Sequence, residues 1–291
     1  MTPDEPPQYA LPLVIRVERA APPTRTDAIE GAARAVLYFL TDPRVTGEDG
    51  ADGEWTQAVR AWEDARIRKV VRRARGAGWD RALALPGITV THRTARIRVY
   101  PPVPVDDWPA DLARLQVAGT DLEDPEPPGP VPPGMPVLWL NPELPMTAGK
   151  AMAQAGHAAQ LAWWRLEPRV RSEWKGADFE LAVRAAAAGR WAELVASGLP
   201  VVRDGGFTEV APGSCTVVAD LPALVLPGGA VSRHWGATRP PITPRPRTPR
   251  LPAATLCWWR LCCPSCGRQL AGAVGGDMLP VAAVAGVAVE A

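Results

Sequence analysis

The sequence has few cysteines, few lysines and no long apolar run. Four of its five cysteines lie between residues 257 and 266, and Cys215 stands alone, which is not the spacing of a secreted disulfide framework. No stretch reaches the roughly 18 apolar residues that a membrane-spanning helix requires. The first residues lack the basic-then-apolar layout of a signal peptide. We therefore expect a cytoplasmic protein with reduced thiols and no membrane partner.

The chain also lacks a strong net charge. The formal net charge is +1 over 291 residues, which excludes the global basic field of a nucleic-acid coat protein, so any RNA contact must come from a local patch. The positive charge is almost all arginine, because lysine occurs only at Lys69, Lys150 and Lys175. A chain of this length predicts two domains rather than one.

An acidic, proline-rich segment divides the chain. Residues 121–136 contain too few large apolar groups to pack, and they predict an interdomain linker. Residues 1–120 predict a small α/β or α+β accessory domain of unknown role. Its expected elements are a strand at 9–18, a helix at 28–41, a helix with Trp55, Val59, Trp62, Val70 and Ala74 on one stripe, two strands within 87–100, and a short helix at 111–115.

The segment after the linker predicts a second α/β domain at residues 137–222. Its expected elements are a strand at 137–141, a helix at 147–165 with Thr147 as N-cap, a strand at 177–186, a helix that ends at Gly198, and two final strands. This order predicts a small mixed β-sheet flanked by helices. Residues 223–291 contain many prolines and arginines as well as the cysteine cluster, and we predict that this tail is largely disordered.

Three polar side chains share one face of the helix predicted at 147–165. Lys150, Gln154 and His157 are spaced by four and three residues, which places them together on a helix surface. A lysine near the first helical turn, beside free backbone N–H groups, suits an anionic ligand such as a phosphate. The alternative is an amphipathic helix whose polar face meets water.

A second polar group follows the next-to-last predicted strand. Asp204 ends an apolar strand, Gly205 and Gly206 allow a tight turn, and Thr208 and Thr216 follow. Strand ends and the loops after them commonly carry functional side chains. The alternative is that Asp-Gly-Gly is only a turn signal.

These two segments resemble the type-II, or archaeal and eukaryotic type, peptidyl-tRNA hydrolase family. The matching segments are GKAMAQAGHA at 149–158 and DGGFTEVAPGSCTV at 204–217, and the resemblance covers about residues 136–222. It implies hydrolysis of the ester that joins a peptide to the 3′ ribose of tRNA. It also implies a small mixed sheet flanked by helices, a tRNA partner, no metal and no cofactor.

The resemblance assigns roles to residues at matching positions. The expected catalytic residues are Lys150, His157, Asp204 and Thr208, and the expected substrate-binding residues are Gln154, Gly213, Ser214 and Thr216. Ester hydrolysis needs an oriented water and a donor for the oxyanion. Either Asp204 or His157 could orient the water, while Lys150 could stabilise negative charge or hold a phosphate.

The chain departs from the family pattern in two places. Family members often have another lysine a few residues before the helix, where this chain has NPELPMTAGK, and Phe207 stands where a basic residue is common. The segment RIRKVVRRARG beside Trp79 predicts a basic helix that could supply the missing charge through Arg68, Lys69 and Arg72. The alternative for this helix is a solvated surface.

Two other functions remain open from the sequence. The domain could bind tRNA or the ribosome without turnover, or it could hydrolyse another acyl or amide substrate on the same scaffold. CCPSCG at 262–267 contains half of a zinc site, with Cys257 as a further ligand, whereas Cys215 is expected to be structural. A homodimer is also left open.

Overall fold

The computed structural model describes residues 8–224, so the predictions for the cysteine cluster and for most of the tail lie outside the described residues. The strands within this range are β1 (Tyr9–Arg16), β2 (Lys69–Ala74), β3 (Ile88–His92), β4 (Ala95–Val99), β5 (Val103–Pro104), β6 (Val137–Leu140), β7 (Ala182–Ala185), β8 (Val201–Arg203) and β9 (Cys215–Asp220). The helices are α1 (Arg25–Leu40), α2 (Pro43–Thr46), α3 (Thr56–Ala65), α4 (Ala77–Leu83), α5 (Ala110–Ala113), α6 (Ala148–Arg165), α7 (Pro168–Gly176) and α8 (Ala188–Ala196).

The first sheet has the strand order β2-β1-β4-β3, with β5 paired to β1. Strand β1 lies parallel to β2 and antiparallel to β4. Its sequence YALPLVIR buries every side chain between the two terminal ones, as expected of an apolar run in the middle of a covered sheet. The strands predicted at 9–18 and within 87–100 are therefore found.

The second sheet has the order β7-β6-β9-β8. Strand β6 lies parallel to β7 and antiparallel to β9, and β9 lies antiparallel to β8. The prediction of a small mixed sheet flanked by helices, preceded by a second α/β unit, is confirmed. No helix among residues 8–224 is long and apolar enough to cross a bilayer.

Two helices, α1 and α6, form a shared layer between the sheets. Helix α1 packs on β3, β4 and β7, whereas α6 packs on β2, β8 and β9, and the two helices contact each other along their lengths. Both are rich in alanine and mostly buried, and their small side chains allow the two helices to approach closely. One hydrophobic core therefore includes side chains from both sheets, such as Leu13 and Ile97 of the first and Leu138 and Val217 of the second. The proposed boundaries at residues 120 and 137 stay a prediction.

The predicted helix with a stripe from Trp55 to Ala74 is wrong in its second half. Trp55 caps α3 and Val59 and Trp62 lie within it, but the helix ends at Ala65 and the chain becomes extended. Val70 and Ala74 lie in β2, which pairs with β1 in parallel register. The spacing of a few apolar residues is compatible with either a helix or a strand. Here the pairing with the buried strand β1 decides for a strand.

The segment between α6 and β8 also differs from the prediction. The strand expected at 177–186 is limited to Ala182–Ala185, and helix α7 precedes it. Asp178 and Phe179 adopt positive φ angles of 57° and 53°, so the chain turns there instead of extending. The predicted helix that ends at Gly198 is found as α8, and Gly198 has a φ of 80° just beyond its end.

Candidate active site

The N-terminus of α6 is tied to the loop between β8 and β9. The Thr147 hydroxyl caps the helix by accepting from the Lys150 backbone N–H at 3.2 Å. The Glu209 carboxylate accepts from the hydroxyl and the backbone N–H of Thr147, at 2.8 and 3.0 Å. Sequence reasoning found the cap but missed Glu209, for which the sequence has no local signal. The two predicted motifs are thus in direct contact.

Lys150 forms a nearly buried ion pair with Asp204. The Lys150 Nζ lies 2.7 Å from Asp204 Oδ2, and each side chain is 8% exposed. The same ammonium donates to Thr208 Oγ1 at 3.2 Å. Because Thr208 accepts this bond, its own hydroxyl proton stays available to a substrate oxygen.

Gln154 extends the ion pair into the core. Its Nε2 donates to Asp204 Oδ2 at 2.8 Å, and its Oε1 accepts from Thr216 Oγ1 at 2.5 Å. Thr216 is completely buried in β9. One connected series of hydrogen bonds therefore joins Lys150, Asp204, Gln154 and Thr216, and it holds the carboxylate in position. These hydrogen bonds argue against the two simpler alternatives, a water-facing helix surface and a plain turn.

The backbone of the loop holds Asp204 in place. Its N–H donates to the Ser214 carbonyl at 2.9 Å, and its carbonyl accepts from the Gly213 N–H at 2.7 Å. Its Oδ1 accepts from the Gly206 N–H at 2.8 Å. Gly206 has a φ of 76°, and a Cβ there would lie 2.3 Å from Pro212 Cγ, so glycine is required at this turn. Gly213 and Ser214 thus contribute main-chain contacts to the site.

His157 lies farther along α6, outside this series of hydrogen bonds. Its Nδ1 is 3.4 Å from Lys69 Nζ, and no hydrogen bond joins it to Lys150, Asp204 or Thr208 in the part of the chain that the structure describes. Burial lowers the pKa of His157 well below its ordinary value of 6.5, and the charges of Lys69 and Lys150 lower it further. The imidazole is therefore neutral at pH 7.

This lowered pKa predicts a pH-dependent stability. Below pH 6.5 the unfolded chain binds a proton at His157 while the native protein does not, so the free energy of unfolding falls as the pH falls. The loss continues until the pH reaches the folded-state pKa, with a slope of up to about 1.4 kcal/mol per pH unit. Urea unfolding at a series of pH values between 5 and 7.5 measures this free energy. Its dependence on pH should be weaker for His157→Gln than for wild type. Equal slopes in the two proteins would contradict the prediction.

The predicted basic surface at residues 66–75 is not a helix. Lys69 is only 6% exposed, and its Nζ lies 2.5 Å from Gln160 Oε1 and 4.8 Å from the centre of the Trp62 ring. Burial lowers the pKa of Lys69 well below its ordinary value. These residues lead into and form β2, whose side chains alternate between its faces, and one face packs on α6. Lys69 therefore points into the core.

Arg72 and Arg68 differ in their surroundings. The Arg72 guanidinium donates through Nη1 to the carbonyls of Ala113 and Leu115 and lies 4.3 Å from the centre of the Trp108 ring, so protein atoms hold it in place. Arg68 lies closer to the site, because its Cζ is 5.0 Å from the centre of the Phe207 ring.

One buried group away from this site has the ligand types of a metal centre. Asp27, Glu30 and His92 each offer a ligand atom, and these atoms lie within 4.8 Å of one another. Arg93 lies 3.4 Å from both carboxylates, and Arg184 lies 3.0 Å from Glu30. The negative charge is therefore already balanced by guanidinium groups, and the arrangement is that of an ion-pair network.

Comparison with known proteins agrees with the motif assignment. Residues 135–225 match the family model described as Peptidyl-tRNA hydrolase PTH2. The predicted resemblance of about residues 136–222 to the type-II family is thus confirmed. No curated protein and no solved structure matches the chain.

Proposed function

We propose that this chain hydrolyses the ester of peptidyl-tRNA in the cytoplasm, releasing the peptide and free tRNA. The observation that carries the proposal is the chain of hydrogen bonds from Lys150 through Asp204 and Gln154 to Thr216. It joins the two motifs of the matched family at one end of α6. The group lies where a helix end meets a loop, and functional side chains are commonly carried on loops that a rigid scaffold positions.

Asp204 is the residue that we assign to orient the water. A carboxylate has about four acceptor positions, and Lys150, Gln154 and the Gly206 N–H occupy three of them. The remaining position is on Oδ1, where a water could bind. His157 makes no hydrogen bond to this group within residues 8–224, so we assign it a supporting role in α6 beside Lys69.

Lys150 and Thr208 are the donors that we assign to the oxyanion. The water adds to the ester carbonyl carbon, and negative charge develops on the carbonyl oxygen, where an ammonium and a hydroxyl stabilise it. The C–O bond to the ribose then breaks, one proton of the water passes to the ribose oxygen, and the other is lost to solvent as the peptide acid ionises. The products are a peptide carboxylate and a tRNA with a free 3′ hydroxyl.

Substrate binding is assigned to the surroundings of this group. Gly213 and Ser214 shape the loop beside it through their main-chain hydrogen bonds to Asp204. Gln154 and Thr216 act by holding Asp204. Arg68 supplies positive charge from the segment between α3 and β2, whereas Lys69 and Arg72 support that surface from within, since their charged groups are engaged by protein atoms.

The test is release of an N-blocked aminoacyl group from tRNA by the purified protein. Wild type should cleave, and Lys150→Ala should lose at least about a hundredfold in rate because it removes an oxyanion donor. Lys175→Ala is the matched control. Lys175 is exposed, and its Nζ donates to the Thr41 carbonyl and not to Asp204. The control should cleave like wild type.

Two outcomes would replace the proposal. If wild type binds tRNA but leaves the ester intact, the domain is a binding module without turnover. If it fails to bind tRNA but cleaves another acyl ester or amide, the scaffold serves a different hydrolase.

A further inference from the structure

Phe207 is an exposed aromatic ring beside the candidate active site. It is 52% exposed, and it lies next in sequence to Thr208, which contacts Lys150. A Cβ at Gly205 would lie 2.9 Å from Phe207 Cε2, so the ring packs against a position that only glycine leaves open. A single exposed apolar side chain is common on protein surfaces; its position next to the site makes this one informative.

Two guanidinium groups from the segment between α3 and β2 lie near this ring. The Cζ atoms of Arg68 and Arg66 are 5.0 and 5.8 Å from its centre, within the range of a cation–π contact. Both arginines precede β2, outside the residues that match the hydrolase family. The Arg68 carbonyl accepts from the Leu11 N–H and from Trp62 Nε1, each at 2.8 Å. The backbone of Arg68 is therefore fixed, and this segment adds positive charge to the rim of the site.

An aromatic ring with adjacent arginines suits single-stranded nucleic acid. Bases stack on aromatic rings whatever their identity, and guanidinium groups track the phosphates between them. The bases of a duplex are already stacked on one another, so their faces are not available to a protein ring. The chemistry of this surface thus favours unpaired nucleotides.

We propose that Phe207, Arg66 and Arg68 bind the unpaired nucleotides at the 3′ end of the tRNA. One base stacks on the exposed part of the Phe207 ring, and the arginines contact its flanking phosphates. This assignment rests on the proposed function, because it places a base close to the ester that Lys150 and Asp204 act on. It also explains how a chain with phenylalanine at position 207 obtains positive charge there.

The test is the binding of a fluorescently labelled single-stranded RNA that carries the tRNA 3′-terminal sequence without an ester. Phe207→Ala should raise its Kd on the order of tenfold, with the dependence on salt unchanged, because stacking is lost and no charge is removed. Phe207→Trp should restore binding. Arg68→Ala should reduce the slope of log K against log salt by about 0.7 for each phosphate contact that is lost.

Arg169→Ala is the matched control for charge. The Arg169 side chain is 87% exposed. It lies on α7, which starts just after the C-terminal end of α6, and that end is roughly 20 Å along the helix from Lys150. The Arg169→Ala substitution should leave both the Kd and the salt slope at wild-type values. A double-stranded RNA of the same length should bind more weakly than the single strand.

Two results would overturn the proposal. One is a Phe207→Ala protein that binds the single strand as wild type does, and the other is equal binding of single and double strands. Because this RNA has no ester, the measurement is independent of turnover. Normal cleavage with normal binding by Phe207→Ala rejects this surface alone, whereas single-strand binding by a wild type that never cleaves rejects the hydrolase.

Discussion

Asp204→Asn is expected to slow ester cleavage by at least about a hundredfold while the protein remains folded. Asparagine keeps the size of the side chain but removes the charge that holds the Lys150 ammonium at 2.7 Å. It also replaces one acceptor oxygen by an N–H₂ group, which must face either the Lys150 or the Gly206 donor. Positioned charges and general bases commonly contribute factors of this size. Single-turnover release of an N-blocked aminoacyl group from tRNA measures the change.

The matched control for this prediction is Asp52→Asn. Asp52 also pairs with a cation, Arg60, at 2.7 Å, but both side chains are more than half exposed. Exposed pairs contribute little to stability, so this variant should cleave and unfold as wild type does. Cleavage by Asp204→Asn within threefold of wild type would contradict the role that we assign to the carboxylate.

The sequence signals that single out this group of residues are local. Lys150, Gln154 and His157 follow the helical spacing, and Thr147 precedes them with a side chain suited to an N-cap. Asp204 ends a short apolar strand before two glycines. Each of these patterns depends only on residues within one helix or one turn, so reading them requires no knowledge of the tertiary fold.

The surroundings of the site are not local, and the sequence does not predict them. Lys69 reaches His157 over 88 residues, and Glu30 accepts from the Val183 N–H over 153 residues. In the sequence, Lys69 is part of a basic run typical of a solvated surface, and Glu30 is a charged residue within an apolar helix. Only the packing of α1 and α6 between the sheets reveals that both are buried.

Glu30→Ala is expected to lower the free energy of unfolding by about 3–5 kcal/mol, the usual effect of breaking a buried ion pair. The Glu30 side chain is 2% exposed. Its Oε1 accepts from the Val183 N–H and from Arg184, each at 3.0 Å, and its Oε2 accepts from His92 at 3.0 Å. Its removal leaves the His92 imidazole and the Val183 N–H without this acceptor, and the Arg184 guanidinium keeps only the carbonyls of Gly129 and Val183. Urea unfolding measures the change.

Glu173→Ala is the matched control, since Glu173 also lies on a helix and pairs with an arginine. Its partner is Arg169 four residues earlier, and its side chain is 59% exposed, so its loss should change the free energy of unfolding by only about 0.3–0.5 kcal/mol. Because Glu30 lies in α1 and its partners Val183 and Arg184 lie in β7, its loss weakens the contact between the two sheets. If Glu30→Ala unfolds in one transition at lower urea concentration, the two sheets unfold together. Equal losses of unfolding free energy in Glu30→Ala and Glu173→Ala would contradict the prediction.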